Sequence, residues 1–302
     1  MKTCQHLSLI AVLFLLNTVS PLKASLTLVG AGNYAGVNLV NNGSFEIGHP
    51  GPGNANYQMW AVGSAGTPFL SIPGWNGTGQ PSTYAVWGSD QTSGPFHTEA
   101  SDVLPDGQIG VYFGNGGFLP GQQNTVNLAP TFNPDFTVSF SGSPTFNVFY
   151  GGPAVLAQTI PTQLNPAPLY GLSFWASGEG AQFNTSDIRG IFALRVSNTL
   201  PGDPLLYLWV PPGGGPIGAS HVYQFEFTPL NPLQPVTVEF INYGHLDLSA
   251  YGGAFFTTEL VLDDVRVVGL PEPSPFALLA AGTIMARLVL RRLQSGRFKA
   301  SA

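Results

Sequence analysis

The strongest constraint on the fold of this 302-residue chain is a two-residue periodicity. In "HVYQFEF" (221–227) the aromatic residues at 223, 225 and 227 alternate with other residues, and in "VTVEFIN" (236–242) positions 236, 238, 240 and 242 share one face. Strand side chains alternate between two faces, and no segment sustains the 3.6-residue period of a helix. Short apolar runs bounded by glycine, proline, asparagine and serine are typical of sandwiches. The sequence therefore predicts an all-β antiparallel β-sandwich.

Similar short runs recur along the chain between residues 37 and 268. Candidate strands begin at Val37, Thr83, Gln108, Leu169, Gly190, Pro204, His221, Pro235 and Thr257, and the stretch from Phe136 is predicted to hold two strands around "SGSP". About 245 residues suit one large all-β domain that buries a core without disulfide bonds.

The first 24 residues have the pattern of a secretory signal peptide. Lys2 precedes an apolar core from Leu7 to Leu16, and small residues surround Ala24, after which we predict cleavage. The single cysteine, Cys4, would leave with this segment, so the mature chain has no thiol chemistry and no disulfide. Export is the expected fate of the remaining chain.

The last thirty residues combine prolines, an apolar run at about 275–290 and an arginine cluster. The run is shorter than the roughly 20 residues that span a bilayer comfortably, but terminal arginines extend to the headgroups. Basic residues after such a segment favour a cytoplasmic C-terminus. An amphipathic helix packed on the domain is the alternative, but "FALLAAGTIMA" is apolar nearly all round, whereas a packed helix has one apolar face.

This ending resembles the PEP-CTERM sorting signal of exported bacterial proteins. The matching residues are the "PEP" of Pro271, Glu272 and Pro273, and the basic residues Arg287, Arg291 and Arg292. Arg287 enters the apolar run earlier than the pattern has it. The resemblance implies processing by a membrane enzyme, an exosortase, and delivery to the cell envelope, outer surface or extracellular matrix, with transient or permanent inner-membrane anchoring. The predicted division is 1–24 signal peptide, 25–269 ectodomain and 270–302 sorting segment with a short transmembrane helix.

Charge excludes several partners for the predicted ectodomain. Between residues 25 and 270 there are three basic residues, no lysine and fifteen acidic residues, a formal charge of −12. Such a surface repels nucleic acid and anionic lipid. Most solvent-facing positions must then be asparagine, glutamine, serine, threonine and glycine.

Four short motifs resemble the galactose-binding-like jelly rolls of carbohydrate-binding modules. They are "NLVNNGSFEIG" from Asn38, "SIPGWNGTGQPSTYAVWG" from Ser71, "YGLSFWASG" from Tyr170 and "LVLDDVRVV" from Leu260. The resemblance implies a jelly-roll sandwich and weakly implies sugar binding, because this fold serves many purposes. It also implies that Glu46 and Asp263 help to hold a structural calcium ion, without a catalytic role.

The residues themselves also mark Asp263 as unusual. In "VLDDVRV" it has the same parity as Val265 and Val267, so strand alternation predicts that its carboxylate faces the core. A buried carboxylate must be paired, hydrogen-bonded or bound to metal, and calcium takes several oxygen ligands. The alternative is an Asp263 that caps a turn or pairs near Arg266.

Sugar binding needs flat aromatic faces beside polar side chains. Trp60, Trp75, Tyr84 and Trp87 lie in or near segments rich in asparagine, glutamine and serine, and we predict that they stack on a sugar. The alternative is that Trp75 and Trp87 close the edge of the sandwich. Exposure of both in one groove would distinguish the two. Trp175 and Trp209 are expected in strands, buried or half-buried.

Catalytic motifs are missing from the sequence. There is no G-x-S-x-G, H-E-x-x-H or P-loop pattern, and the histidines have no metal-ligand spacing. The sequence therefore predicts a non-catalytic exported protein that binds or forms part of an extracellular polysaccharide layer. The alternatives are a structural or adhesive matrix protein without a sugar pocket, and a secreted hydrolase acting on glycosides.

Overall fold

A computed structural model describes residues 26–47, 58–62, 72–78, 82–88, 105–106, 109–115, 124–148, 152–178, 190–199, 205–210, 221–244, 246–251 and 260–271. These residues form β-strands and two short 3-10 turns, Thr162–Leu164 and Ser249–Tyr251, and no α-helix. The all-β prediction is thereby confirmed. The predicted signal helix and C-terminal helix lie outside these residues. None of the described residues forms a helix long and apolar enough to cross a membrane.

Seventeen strands are defined in the described residues. Their bounds are β1 Thr27–Gly30, β2 Gln58–Val62, β3 Asn76–Thr78, β4 Ser82–Gly88, β5 Ile109–Asn115, β6 Asn124–Val126, β7 Thr131–Phe132, β8 Val138–Ser139, β9 Phe146–Asn147, β10 Ala154–Ile160, β11 Leu169–Gly178, β12 Gly190–Val196, β13 Leu206–Val210, β14 His221–Phe227, β15 Val236–Asn242, β16 Leu246–Asp247 and β17 Leu260–Leu270. The candidate strand at Val37 is wrong, since residues 37–40 are not in a strand.

Two large antiparallel sheets face each other across one core. A seven-stranded sheet has the order β1-β14-β11-β17-β5-β4-β2, and a five-stranded sheet has the order β13-β12-β15-β10-β3. The ring of Phe174, from the first sheet, meets Phe240 edge-on at 4.9 Å and Phe192 at 6.1 Å, both from the second. The sheets therefore pack face to face as a sandwich.

The alternation read from the sequence fixes which face of each strand enters the core. In β14 the aromatic residues 223, 225 and 227 are buried and the residues between them are half-buried. In β15 positions 236, 238, 240 and 242 are all buried. Both predictions are confirmed.

Strand β17 contains a bulge that the sequence pattern did not predict. Ser173 of β11 pairs with Arg266 and Trp175 pairs with Asp263, so β17 has one residue more than its neighbour. Asp264 is the extra residue and has a left-handed backbone with φ of 47°. An extra residue shifts the alternation of a strand. Leu262 consequently lies in the core, and the prediction that Asp263 shares a core face with Val265 is wrong.

Residues 38–43 run beside the second half of β17 and replace a neighbouring strand there. The Asn38 side chain donates to the Val265 carbonyl at 2.9 Å and accepts from the Val267 amide at 3.0 Å. The Val265 amide donates to the Gly43 carbonyl at 2.9 Å. A Cβ at Gly43 would lie 2.0 Å from the Val265 oxygen, so only glycine fits. This part of the "NLVNNGSFEIG" motif closes the sheet.

Residues 124–148 cover part of the outward face of the five-stranded sheet. Val126 and Val138 pack with Ile191 of β12, and Phe146 packs with Tyr207 and Tyr243. The two predicted strands around "SGSP" are β8 and β9, which confirms that prediction. This cover leaves a second group of outward-facing side chains beside it.

Candidate functional site

Polar side chains line the outward face of the five-stranded sheet beside the aromatic cluster formed with residues 124–148. We use the name sheet platform for these polar residues and the small residue between them: Arg195, Glu239, Thr237, Thr159 and Ala157. Its members alternate with core residues along β10, β12 and β15 and are half-buried or exposed. The strand period therefore fixes their outward direction.

An ion pair lies at the centre of the sheet platform. Arg195 and Glu239 are directly opposed in the β12–β15 pairing, and the arginine Nε contacts a carboxylate oxygen. Their side chains are 38% and 19% exposed. A half-exposed pair contributes only about 0–1 kcal/mol to stability. It does, however, present donor and acceptor groups in fixed positions on a rigid sheet.

Hydroxyl groups continue the sheet platform along the strands. Thr159 and Thr237 are opposed in the β10–β15 pairing, and their hydroxyl oxygens are 3.1 Å apart. Ala157, opposite Glu239, is small and half-buried. The platform thus offers a guanidinium, a carboxylate and two hydroxyls, which are groups that hydrogen-bond to a ligand rich in hydroxyls.

Two tyrosines form the border between the sheet platform and the covered part of the sheet. Tyr243 is stacked on Phe146 with ring centres 3.8 Å apart, and it shares a hydrogen bond with Tyr207. Burial is the main cause that raises the pKa of Tyr243, and the neighbouring Tyr207 raises it further. The positive charge of Arg195 lowers this pKa. Both phenols stay protonated at neutral pH and act as hydrogen-bonding groups. The face of the Tyr243 ring that stacks on Phe146 is not free to contact a ligand, so these tyrosines bound the sheet platform on that side.

Trp75 is a core residue. It is 3% exposed, packs on Phe45 and Phe240 with ring centres 5.4 and 6.2 Å away, and donates from Nε1 to the Asn42 carbonyl at 3.1 Å. A ring enclosed in this way has no face left for a sugar. The stacking prediction is therefore wrong for Trp75, and the alternative that it closes the sandwich edge agrees with its packing. Trp75 and Trp87 do not form one exposed groove.

The other three predicted stacking residues are in strands. Trp60 belongs to β2, and Tyr84 and Trp87 belong to β4. Their side chains lie outside the described part of the structure, so stacking by these three residues stays a prediction. Trp175 is buried and Trp209 is half-buried, as expected.

The Asp263 carboxyl is fully buried at the bulge of β17. One oxygen accepts from the amide of Asp264 at 2.7 Å and the other from the amide of Asp106 at 3.2 Å. Burial raises the pKa of Asp263 to about 8, repulsion from Asp106 and Asp264 adds to this, and the two amide bonds oppose it. These contacts match the turn-capping alternative named for this residue.

Asp264 and Arg266 extend this polar region along β17. Asp264 accepts a hydrogen bond from the Asn33 side chain, and its other oxygen lies 3.7 Å from Arg266 Nε. Burial raises the pKa of Asp264, while the charge of Arg266 lowers it.

The neighbouring Tyr34 ring lies over Gly171, where a Cβ would meet the ring at 2.5 Å. Residues 33–34 therefore fold over the outward face of the seven-stranded sheet.

Glu46, the second predicted calcium ligand, is exposed directly after Phe45. Within the described ranges, no three His, Cys, Asp or Glu residues form a group suited to a metal ion. A calcium site there would need backbone carbonyl oxygens beside Asp263 and Glu46. Calcium binding at these residues stays a prediction.

Of the sorting residues, Pro271 is exposed directly after the end of β17. Glu272, Pro273, Arg287, Arg291 and Arg292 lie outside the described residues. The sorting signal and its processing stay predictions.

The sequence interpretation missed the Arg195–Glu239 pair and the role of Asn38. Arg195 and Glu239 both stand at solvent parity in clearly alternating strands, which was the available signal. Their contact depends on pairing between strands 44 residues apart, and one sequence does not fix that register. Nothing in the sequence around Asn38 predicted its hydrogen bonds to β17, apart from its place in the "NLVNNGSFEIG" motif.

Comparison with known proteins finds distant similarities. No family model and no curated protein matches the chain. The Stig cyclase FisC of Fischerella sp. TAU is 16% identical with a TM-score of 0.41, over 82% of this chain and 100% of that one. The enzymatically active domain of bacteriophage CBA120 tailspike protein 4 is 12% identical with a TM-score of 0.34, over 77% of this chain and 21% of that one. TmCBM61, solved with β-1,4-galactotriose, is 14% identical with a TM-score of 0.34, over 78% of this chain and 100% of that one. At these values no activity or ligand is carried over to this chain.

Proposed function

We propose that this chain is an exported, non-catalytic bacterial surface or matrix protein whose sheet platform binds extracellular polysaccharide. The observation that carries the proposal is the Arg195–Glu239 pair, set among threonine hydroxyls on one face of the sandwich. A polysaccharide offers many hydroxyls, and paired donor and acceptor groups recognise vicinal hydroxyls by complementary hydrogen bonds. The ectodomain is strongly acidic, which favours neutral over anionic glycans as ligands.

Affinity gel electrophoresis tests the site. The protein is run through native gels that contain a panel of neutral bacterial and plant polysaccharides, and retardation measures binding. We expect retardation by at least one neutral glycan and its loss in Arg195→Gln, because hydrogen bonds to charged groups contribute about 1.5–3 kcal/mol, or roughly ten-fold or more in affinity.

Arg266→Gln is the matched control. It removes the same charge from the seven-stranded sheet, where Arg266 pairs with Asp264. The exchanged pair Arg195→Glu with Glu239→Arg retains the net charge and an ion pair but reverses donor and acceptor. We expect normal retardation in the control and weak retardation in the exchanged pair. Equal retardation of all variants would refute the sheet platform as the binding site.

The proposal includes delivery to the cell surface. What supports it is the apolar and basic ending after Pro271, together with the signal-like residues 1–24. The partner would be an exosortase-type enzyme. Intact mass of the protein from culture medium and envelope tests this: loss of residues 1–24 and of those beyond about Pro273 is expected. A retained tail in the membrane fraction would indicate a simple anchor, and an intact Met1 in the cytoplasm would refute export.

The sequence-derived alternatives are separated by the same experiments. An exported protein that no glycan retards, although its variants fold, would be a structural or adhesive matrix component. Release of reducing ends from a retained glycan would indicate a hydrolase. A structural calcium ion at Glu46 and Asp263 belongs to the proposal as a stabilising ligand, with no part in glycan binding.

A further inference from the structure

One end of the sandwich carries exposed leucines, and the described residues of its connections carry no charge. The connections 161–168, 197–199 and 228–235 meet there, and Leu164, Leu230 and Leu233 are 72%, 56% and 82% exposed. We call this surface the leucine end. The described residues of these connections include no acidic or basic residue, although the ectodomain as a whole is strongly acidic. The β12–β13 connection also contains Asp203, which lies outside the described residues. Pro166, Pro168, Pro232 and Pro235 are exposed beside the leucines.

The leucine end is held rigidly by hydrogen bonds between its connections. The Asn198 side chain donates to the Asn231 carbonyl at 2.8 Å and accepts from the Asn231 amide at 3.0 Å. Thr162 Oγ1 donates to the Gln234 carbonyl at 3.4 Å. The Tyr170 hydroxyl donates to the Asn165 carbonyl at 2.8 Å. Exposing apolar side chains to water is unfavourable, and these leucines are held in exposed positions by a rigid surface. Clusters of exposed apolar residues mark interaction surfaces.

Both ends of the described chain emerge at the leucine end. Thr27 of β1 pairs with Glu226, next to the start of the 228–235 connection, and Leu270 of β17 pairs with Leu169, next to the 161–168 connection. Phe276, where the apolar run begins, is only five positions beyond Pro271. Fully extended, these five steps along the chain span at most about 18 Å. A membrane segment in that run therefore holds this end of the sandwich close to the bilayer.

We propose that the leucine end lies on a lipid bilayer surface, with Leu164, Leu230 and Leu233 inserted among the headgroups. The inference rests on the proposed function for the chain that still carries its tail, before processing, in which the tail acts as a membrane segment. Uncharged loops give no attraction to anionic lipid, and the acidic remainder of the domain is repelled by it. The contact is therefore an apolar one with a neutral bilayer, and salt leaves it unchanged.

Lipid quenching of single-site labels tests the contact in the full chain. Cys4→Ser removes the only cysteine, and Leu233→Cys is labelled with an environment-sensitive nitrobenzoxadiazole dye. The protein is reconstituted in phosphatidylcholine vesicles with or without brominated acyl chains. We expect a blue shift and loss of most of the emission in brominated vesicles. Pro134→Cys is the control, because Pro134 is exposed near Trp209 and His221 at the opposite end.

A second variant tests whether the other two leucines make the contact. Leu164→Ser with Leu230→Ser, in the labelled background, should abolish most of the quenching while the protein stays on the vesicles. Vesicle-bound protein without quenching at 233 overturns the proposal but leaves the anchor intact. A blue shift without quenching also overturns it, because the leucines are then covered by the tail or by a second copy. Protein that does not bind vesicles overturns both the contact and the membrane segment.

Discussion

The buried carboxyl of Asp263 makes the stability of this protein depend on pH in an unusual direction. Its pKa is about 8 in the folded chain, chiefly because of burial, against 3.8 for an unperturbed aspartate. The folded state therefore holds a proton that the unfolded state has already released. The stabilisation from Asp263 is complete below about pH 4 and is lost as pH rises towards 8.

The size of the effect follows from the pKa difference. Each unit corresponds to 1.36 kcal/mol, so between pH 4.5 and pH 7.5 the free energy of unfolding should fall by up to about 4 kcal/mol through this one group. Asp263→Asn stays neutral throughout. Its amide nitrogen faces one of the two backbone N–H donors, at a cost of about 1–3 kcal/mol at every pH. The wild type should be the more stable at pH 4.5, and this advantage should shrink or reverse by pH 7.5.

Urea unfolding at several pH values in EGTA, followed by tryptophan fluorescence, measures the difference between the wild type and Asp263→Asn. Asp247→Asn is the control. Hydrogen bonds from Ser249 lower the pKa of Asp247, so its stabilisation is present above about pH 4 and stays constant across the measured range. A wild-type advantage over Asp263→Asn that is the same at pH 4.5 and 7.5 would refute the protonated, buried carboxyl.

Three further predictions concern stability. If Glu46 and Asp263 hold calcium, the melting temperature at pH 7.5 should be higher in calcium than in EGTA, because the cation favours the charged carboxylate; no difference in the wild type would contradict the site, and Asp263→Asn should abolish the rise. Gly43→Ala should destabilise the chain by about 1–3 kcal/mol or more, because its Cβ would meet the Val265 oxygen at 2.0 Å; an unchanged melting temperature would contradict the close approach. Trp75→Ala should cost about 3–5 kcal/mol in urea unfolding through the cavity it leaves; a loss below 1 kcal/mol would contradict its burial.

Alternation in the sequence was sufficient to predict the core faces of β14 and β15 because these strands are regular. It failed at Asp263 because a single extra residue, Asp264 with its positive φ, reverses the parity of everything before it in β17. Aspartate is among the residues that tolerate a left-handed backbone, so "LDD" was compatible with a bulge. Compatibility with a bulge does not predict one, since the same residues occur in regular strands.

Trp75 shows a second limit of sequence reasoning. Its neighbours in the chain are glycine, asparagine and proline, which suggested an exposed loop. The loop is anchored instead by Asn42, whose side chain donates to the Pro73 carbonyl at 3.0 Å and whose carbonyl accepts from Trp75. Partners more than thirty residues apart thus decide whether a loop tryptophan is a ligand platform or part of the core. Composition around one residue carries no information about them.

The strands fix the distance between the two proposed surfaces, the sheet platform and the leucine end. Thr237 and Thr159 lie one residue from the connections that form the leucine end, and Glu239 lies two residues further along β15. At about 3.3 Å per residue, the Arg195–Glu239 pair is about 10–13 Å from that end. With the leucine end on a bilayer, the sheet platform stands just above the headgroups and is perpendicular to them. A long glycan on the platform must then run across the strands, parallel to the membrane surface, because the bilayer blocks the direction along the strands towards the leucine end. The sandwich would therefore hold polysaccharide close to the membrane, an arrangement that a longer link between Pro271 and Phe276 would release.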